Sequence, residues 1–313
     1  MIFNTSPSER HEGHGDRKAP MSDTFVSTEL ASQPATWRAA AELAPAFSDV
    51  LPQRGESVAV VGCGTSWFMA MSYAVLREHA GHGVTDAFAG SEFPAHRTYD
   101  RVVAISRSGT TTEIVTLLAT LTGTVTVLIT AVEDSPAGEQ AGHVVVLPFA
   151  DERSVVQTRF ATTTLALLRA NLGHDIEALA VDAERALLVP ISDLVDADQV
   201  TFVGLGSAVG LTCEAALKTR EAAQFWAESY PAMDYRHGPI AIAQPGRLVW
   251  SLGPAPEGLA EEVARTGATF VQHDLDPLAG LIVAQRFAVA LAHQRGLDPD
   301  HPRSLTRSVI LAP

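Results

Sequence analysis

The chain has 313 residues, 46% of them hydrophobic, and a formal net charge of −14. That is enough apolar material for two ordinary domains or one large α/β unit. The acidic balance argues against a nucleic-acid surface, and no apolar run reaches the roughly 18 residues that span a bilayer.

In chain order, Met1 to Ala19 are polar, carry His11 and His14, and lack the apolar core of a signal peptide. Residues 1–24 are expected to be a disordered extension, with Met21 as an alternative start. Val58 to Val61 reads as a strand, followed by Gly62-Cys-Gly-Thr-Ser66 and a helix from about Trp67 to His79. Val102 to Ile105 is the next expected strand, then a helix from Glu113 to about Leu121. Further strands are expected at Val125 to Thr130 and Val144 to Leu147, and a long helix at Arg153 to Leu172. Alternation of this kind predicts parallel strands with helical crossovers. It then restarts. Val200 to Val203 precedes Gly204-Leu-Gly-Ser207 and a helix through Trp226, with a strand at Arg247 to Leu252 and a helix at Leu278 to Gln294. The two starts, each with glycines after a strand, suggest two copies of one fold joined near Val189 to Asp198, where Pro190 and acidic residues gather. Cys63 and Cys213 are the only cysteines. Without a disulfide framework they point to a reducing, cytoplasmic setting.

The segment after Val102 to Ile105 carries the clearest chemistry. Ser106, Ser108, Gly109, Thr110, Thr111 and Thr112 crowd a turn that opens a helix. Hydroxyls and free backbone N–H groups at a helix N-terminus make an anion site, and dipoles can build one in an acidic protein. The turn has no lysine, so it lacks the Lys-Ser/Thr pairing of a nucleotide P-loop, and a small phosphorylated metabolite suits it better. The second copy has Ser251-Leu-Gly-Pro254 at the matching place, so one phosphate site per chain is expected.

Glu214, Lys218 and Glu221 fall on one face of the helix after Gly206. Such a face is often an exposed salt-bridged stripe. Here Ala215, Ala216, Leu217, Ala222, Ala223, Phe225 and Trp226 make the helix too apolar for a free surface. Tyr235-Arg-His237-Gly-Pro-Ile then brings a histidine with pre-set turn residues. A lysine and a glutamate in a partly desolvated cleft can move protons near neutral pH.

These residues resemble the sugar isomerase (SIS) family, and within it the isomerase half of the glucosamine-6-phosphate synthases. Glu29 to Pro34 resembles the segment before the family's first helix. Gly62 to Ser66 and Ser106 to Thr111 resemble its sugar-phosphate loops. Glu214 to Glu221, Ala227-Glu228 and His237-Gly-Pro239 resemble its catalytic helix and following loop, and Pro302 to Val309 its C-terminal tail. The resemblance runs from about Thr28 to the end. It implies two tandem SIS domains, each a flavodoxin-like parallel sheet flanked by helices, over residues 25–189 (phosphate-binding) and 190–313 (catalytic helix and tail).

The resemblance also implies the site. Ser66, Ser106, Ser108 and Thr111 would bind the sugar phosphate, and Thr65 would touch the sugar. Arg107, Gly109, Thr306 and Arg307 would complete the binding segments. Glu221 would move a proton between C1 and C2 with Lys218 beside it, and His237 would assist ring opening from a neighbouring subunit of a homodimer. No metal or redox cofactor is implied. Thr65 and Ser66 could instead merely cap a helix. The expected ligand is a phosphorylated amino sugar.

Two departures set the expected reaction. No glutaminase half precedes the match, and the tail lysine that forms a Schiff base in the synthases is replaced by Arg307, whose guanidinium stays protonated and cannot form an imine. Glutamine-dependent synthesis is therefore not expected. Ring opening and C2-proton abstraction on glucosamine-6-phosphate or N-acetylglucosamine-6-phosphate remain, leading to isomerisation with deamination or to loss of the C3 hydroxyl. The alternatives are a deglycase for phosphorylated fructosamines and a non-catalytic phosphosugar sensor, though no basic helix-turn-helix accompanies the match.

Overall fold

The structure, a computed structural model, describes residues 24–94 and 96–311. The expected extension lies outside these residues apart from Thr24, which caps α1 (Phe25–Ala31) by accepting from the Ser27 N–H. α2 (Gln33–Leu43) follows directly.

The first sheet contains β1 (Val58–Gly62), β2 (Thr85–Ala89), β3 (Arg101–Ile105), β4 (Val125–Thr130) and β5 (His143–Val146). All its pairings are parallel, in the order β2-β1-β3-β4-β5. α3 (Thr65–His79), α4 (Thr112–Thr120) and α5 (Pro136–Gln140) are interleaved, and α6 (Arg159–Asn171) and α7 (Ile176–Leu188) follow. Strand residues alternate between two apolar layers. Val58, Val60, Val103, Ile105, Val127 and Ile129 face α3 and α6, whereas Ala59, Val61, Val102, Ala104 and Leu128 face α4 and α5.

The second sheet is built from β6 (Gln199–Gly204), β7 (Ala227–Pro231), β8 (Arg247–Leu252) and β9 (Thr269–Gln272), again all parallel, in the order β7-β6-β8-β9. α8 (Ala208–Ala223), α9 (Leu259–Thr266) and α10 (Pro277–Gln294) flank it. In each sheet the second strand lies outside the first and the third on its other side. Val200, Phe202, Trp250 and Phe287 belong to the same apolar cluster as Val60, Met69 and Phe160, so one core joins the two sheets. No helix among the described residues is long and apolar enough to cross a membrane.

Two expected elements need correction. The helix anticipated from Arg153 begins only at Arg159. The Glu29 carboxylate accepts from the Arg153 and Ser154 N–H groups, and Glu152 accepts from those of Thr158 and Arg159. These bonds hold residues 153–158 out of helix. The helix expected to reach Trp226 stops at Ala223, because Gln224 adopts a left-handed conformation with φ of 49°, and the chain leaves as β7.

α3 and α8 meet at Gly210. A Cβ there would sit 2.6 Å from Ser72 Oγ and closer still to the Phe68 carbonyl. Gly210→Ala must push the helices apart, which costs about 1–3 kcal/mol. The expected result is a lower denaturant midpoint with an unchanged slope.

Candidate active site

The order β2-β1-β3 means that the chain leaves β1 toward opposite sides, which opens a crevice at the C-terminal ends of these strands. Gly62 and Ile105 are in register there, so the loops after β1 and β3 lie side by side. Gly62 lets α3 start tightly on its strand, because a Cβ would fall 2.7 Å from the Trp67 nitrogen. Thr65 and Ser66 are both buried in the first turn of α3. Gly64, not either hydroxyl residue, holds the cap position and makes no side-chain cap bond. Helix capping therefore does not account for Thr65 and Ser66.

The loop after β3 is pinned to its neighbours by backbone bonds. Ser106 N–H donates to Ile129 O at 3.0 Å, Ala131 N–H to Arg107 O at 3.0 Å, and Ala137 N–H to Gly109 O at 2.9 Å. Gly109 takes φ of +63°, and a Cβ there would collide with Ser135. The Ser106 hydroxyl is buried and makes no hydrogen bond to the protein. Ser108 and Thr110 share a hydroxyl–hydroxyl bond of 2.7 Å. Thr111 stands at the N-cap of α4 without bonding the helix amides through its side chain.

Arg107 turns inward, away from an anion-facing role. Its guanidinium donates to Ser154 O at 3.1 Å and Arg307 O at 2.9 Å, and lies 3.6 Å from Glu152. Burial lowers its pKa, and Glu152 opposes that fall. Burial likewise raises the Glu152 carboxyl above its ordinary value against the pull of Arg107. The tail crosses the same loop. Arg307 binds the Asp151 carboxylate and the Glu152 carbonyl. Thr110 donates to Ser308 Oγ at 2.9 Å, Thr112 N–H to Val309 O at 3.2 Å, and Leu311 N–H to Thr112 Oγ1 at 2.9 Å. The Thr306 hydroxyl donates to Ser308 O. Thr306 and Arg307 thus shape the tail rather than present free donors.

α8 brings its charged face to this corner. Leu217 Cδ2 would lie 3.8 Å from a Cβ on Gly64, and Thr65 lies beside Glu214. Glu214 and Lys218 are nearly inaccessible (1% and 2%), while Glu221 keeps 19% side-chain exposure. This is not an exposed stripe. Lys218 Nζ lies 2.5 Å from Glu221 Oε2 and 3.5 Å from Glu214 Oε1. Burial pushes the Glu214 carboxyl up to about 8, against the pull of Lys218. Burial also disfavours the Lys218 ammonium, but Glu214 and Glu221 together outweigh it and raise its pKa. Glu152 adds to that field, which links the α8 cluster to Arg107 and the loop after β3.

His237 is exposed in a short 3-10 turn and makes no hydrogen bond or ion pair with Glu221 or Lys218 among the described residues. Glu152 and Asp151 were not legible as site components. Both precede a segment that reads as helix, and only its detour over Glu29 and Arg107 brings them in. No cluster of three or more His, Cys, Asp or Glu suited to a metal occurs among the described residues. An open groove of about 460 Å³ between α7 and the end of β9 contains none of these candidates.

No family model matches the chain. It is 26% identical to glutamine–fructose-6-phosphate aminotransferase [isomerizing] of Tropheryma whipplei, over 81% of this chain and 52% of that protein. The chain thus spans about half the length of the curated relatives it matches. Among solved structures, glucosamine-6-phosphate deaminase of Thermotoga maritima aligns with a TM-score of 0.78 and 24% identity, over 92% of this chain and all of that one. The C-terminal domain of glucosamine-fructose-6-phosphate aminotransferase from Francisella tularensis aligns with a TM-score of 0.76 and 18% identity, over 90% and 98%. The chain is similar in sequence to about half of glutamine–fructose-6-phosphate aminotransferase, and it shares with these solved structures an α/β fold of parallel sheets flanked by helices.

Proposed function

We propose that the chain is an enzyme acting on an amino-sugar 6-phosphate, glucosamine-6-phosphate or its N-acetyl derivative, by ring opening and C2-proton abstraction. The observation that carries this reading is the Lys218–Glu221 pair standing beside the crevice loops, on a helix whose Glu214 adjoins Thr65. In this reading residues 25–189 and 190–313 are two SIS domains. Ser66, Ser106, Ser108 and Thr111, with the first amides of α4, hold the phosphate. Thr65 touches the sugar.

Glu221 takes the C2 proton of the open-chain sugar, and Lys218 supplies a proton to the developing oxyanion. Return of a proton at C1 gives the ketose form, which with a free 2-amino group is a ketimine that water cleaves to release ammonia. With a 2-acetamido group the amide cannot become that imine, and the same intermediate expels the C3 hydroxyl as water. The exposure of His237 suits a role in the crevice of a second copy, as a homodimer would provide. Arg307 supports a reaction without a Schiff base: it cannot form an imine, and its guanidinium is already engaged by Asp151 and Glu152.

Incubation of the protein with each sugar in heavy water tests the reading. Deuterium at C2 of the recovered sugar, with a product that has lost either ammonia (and carries deuterium at C1) or water by mass spectrometry, is the expected result. Tight binding without exchange or product would make the protein a phosphosugar sensor instead. Amine-for-oxygen exchange on a glycated sugar phosphate alone would make it a deglycase.

Ser106→Ala separates a ligand role from a structural one. The Ser106 hydroxyl is buried with no protein partner, so its loss should leave thermal stability equal or higher. Loss of a hydrogen bond to a charged phosphate costs about 1.5–3 kcal/mol, so the sugar phosphate should bind at least tenfold more weakly by calorimetry. Unchanged affinity would remove Ser106 from the site.

A further inference from the structure

Glu214 has no place in the mechanism above, yet it is the most deeply buried member of the α8 cluster. Neither of its oxygens completes a hydrogen bond of good geometry, although the Thr65 hydroxyl lies close enough to favour the ionised carboxyl. Its one ion-pair partner is Lys218, at 3.5 Å. A sealed carboxyl with so little compensation costs stability, and an apolar side chain of similar size would pack there at lower cost. What Glu214 adds is therefore exerted on Lys218. Among the described residues, the groups that act most strongly on the pair are Lys218, Glu214 and Glu221 on α8, the uncharged Thr65 hydroxyl on α3 and, for Lys218, Glu152 from the segment after β5.

We propose that Glu214 is a positioning residue: with its carboxyl 3.5 Å from Lys218 Nζ, it holds the ammonium between itself and Glu221 and thereby fixes the proton-transfer pair Lys218–Glu221 beside Thr65. Glu214 itself touches no reacting atom. Without it, Lys218 keeps a single salt-bridge partner, and its long flexible side chain regains rotamers that leave Glu221 unsupported. This rests on the function proposed above, so the test includes a measurement that needs no substrate.

The variants are Glu214→Gln, Glu214→Leu and Lys218→Met, with both double variants. The ammonium of Lys218 is followed by carbon NMR at Cε. Glu214→Gln should move the Lys218 titration down by roughly one unit or more, since a close opposite charge is worth about that. Both Glu214 variants should slow C2-proton exchange about 10- to 100-fold with KM within about twofold. Glu214→Leu should do so while melting at or above the wild-type temperature, a combination that a merely structural residue does not give. In the Lys218→Met background neither Glu214 change should slow the residual rate further, because the two side chains act as one unit.

An unmoved Lys218 titration, wild-type exchange rates in both single variants, or equal losses with and without Lys218 would each overturn the proposal. If the wild-type protein exchanges no proton from any amino-sugar phosphate, the functional reading fails. The Lys218 titration then still decides whether Glu214 holds that lysine.

Discussion

Glu221→Gln is expected to slow C2-proton exchange roughly 10²–10⁴-fold while leaving sugar-phosphate affinity within about twofold. The substitution is isosteric and falls on a side chain with 19% exposure, so little packing is lost. Among the described residues, it removes the only carboxylate that is both paired with Lys218 at 2.5 Å and open to solvent. Glu214, the other carboxylate on Lys218, is sealed, and burial pushes it up to about 8, so it cannot reach a substrate carbon in place of Glu221. General acid–base catalysis contributes roughly 10²–10⁴-fold, and a loss in that range in kcat, with KM nearly constant, is the signature of a group used only in the transition state. The proposed phosphate contacts come from different elements, the loops after β1 and β3. Deuterium incorporation followed by NMR, beside calorimetric titration with the sugar phosphate, reads both quantities. Exchange at the wild-type rate would remove Glu221 as the base.

The central strands and α8 were legible because burial on both faces leaves a strong mark. Val58 to Val61 and Val102 to Ile105 are continuous apolar runs, and Val200 to Val203 is one broken only by Thr201, as strands covered by helices on both sides must nearly be. The three strands that escaped, β2, β7 and β9, all lie at sheet edges. Their sequences, such as Thr85-Asp-Ala-Phe-Ala89 and Ala227-Glu-Ser-Tyr-Pro231, carry polar residues that one-sided burial allows. α7 had a readable signal, with Asp175 capping it and Ile176, Leu179, Ala180, Ala183 and Ala186 on one buried face. At the candidate site, residue types pointed to the loop after β3 as an anion cradle and to Lys218 and Glu221. They could not tell that Arg107 turns inward, since its partners lie 45 to 200 residues away, at Glu152 and Arg307. Side-chain direction at a loop arginine is set by which carboxylate the fold delivers, and that is a tertiary fact.

That inward turn makes Glu152→Ala the most costly substitution expected in the chain. The Glu152 side chain is fully buried and does two jobs at once. One oxygen accepts from the Thr158 N–H at 2.6 Å, the Thr158 hydroxyl at 2.9 Å and the Arg159 N–H at 2.8 Å, which satisfies donors at the start of α6. The other faces the Arg107 guanidinium at 3.6 Å, itself 2% exposed. Removing one partner of a buried ion pair leaves an uncompensated charge and costs about 3–5 kcal/mol, and the uncapped amides of α6 add to that. Glu152→Gln keeps an acceptor for Thr158 and Arg159 but not the charge, so it should fall between alanine and wild type. The loss should also reach the site. Arg107 belongs to the loop that carries Ser106 and Ser108 and holds the carbonyl of Arg307, so a guanidinium seeking water would pull loop and tail apart. Urea denaturation of the two variants, with sugar-phosphate titration of each, is expected to rank stability and affinity in the same order. A loss below about 1 kcal/mol in Glu152→Ala would mean that Arg107 finds solvent without disturbing the loop. The tail would then be held by Asp151 and by its own backbone bonds to Thr110 and Thr112.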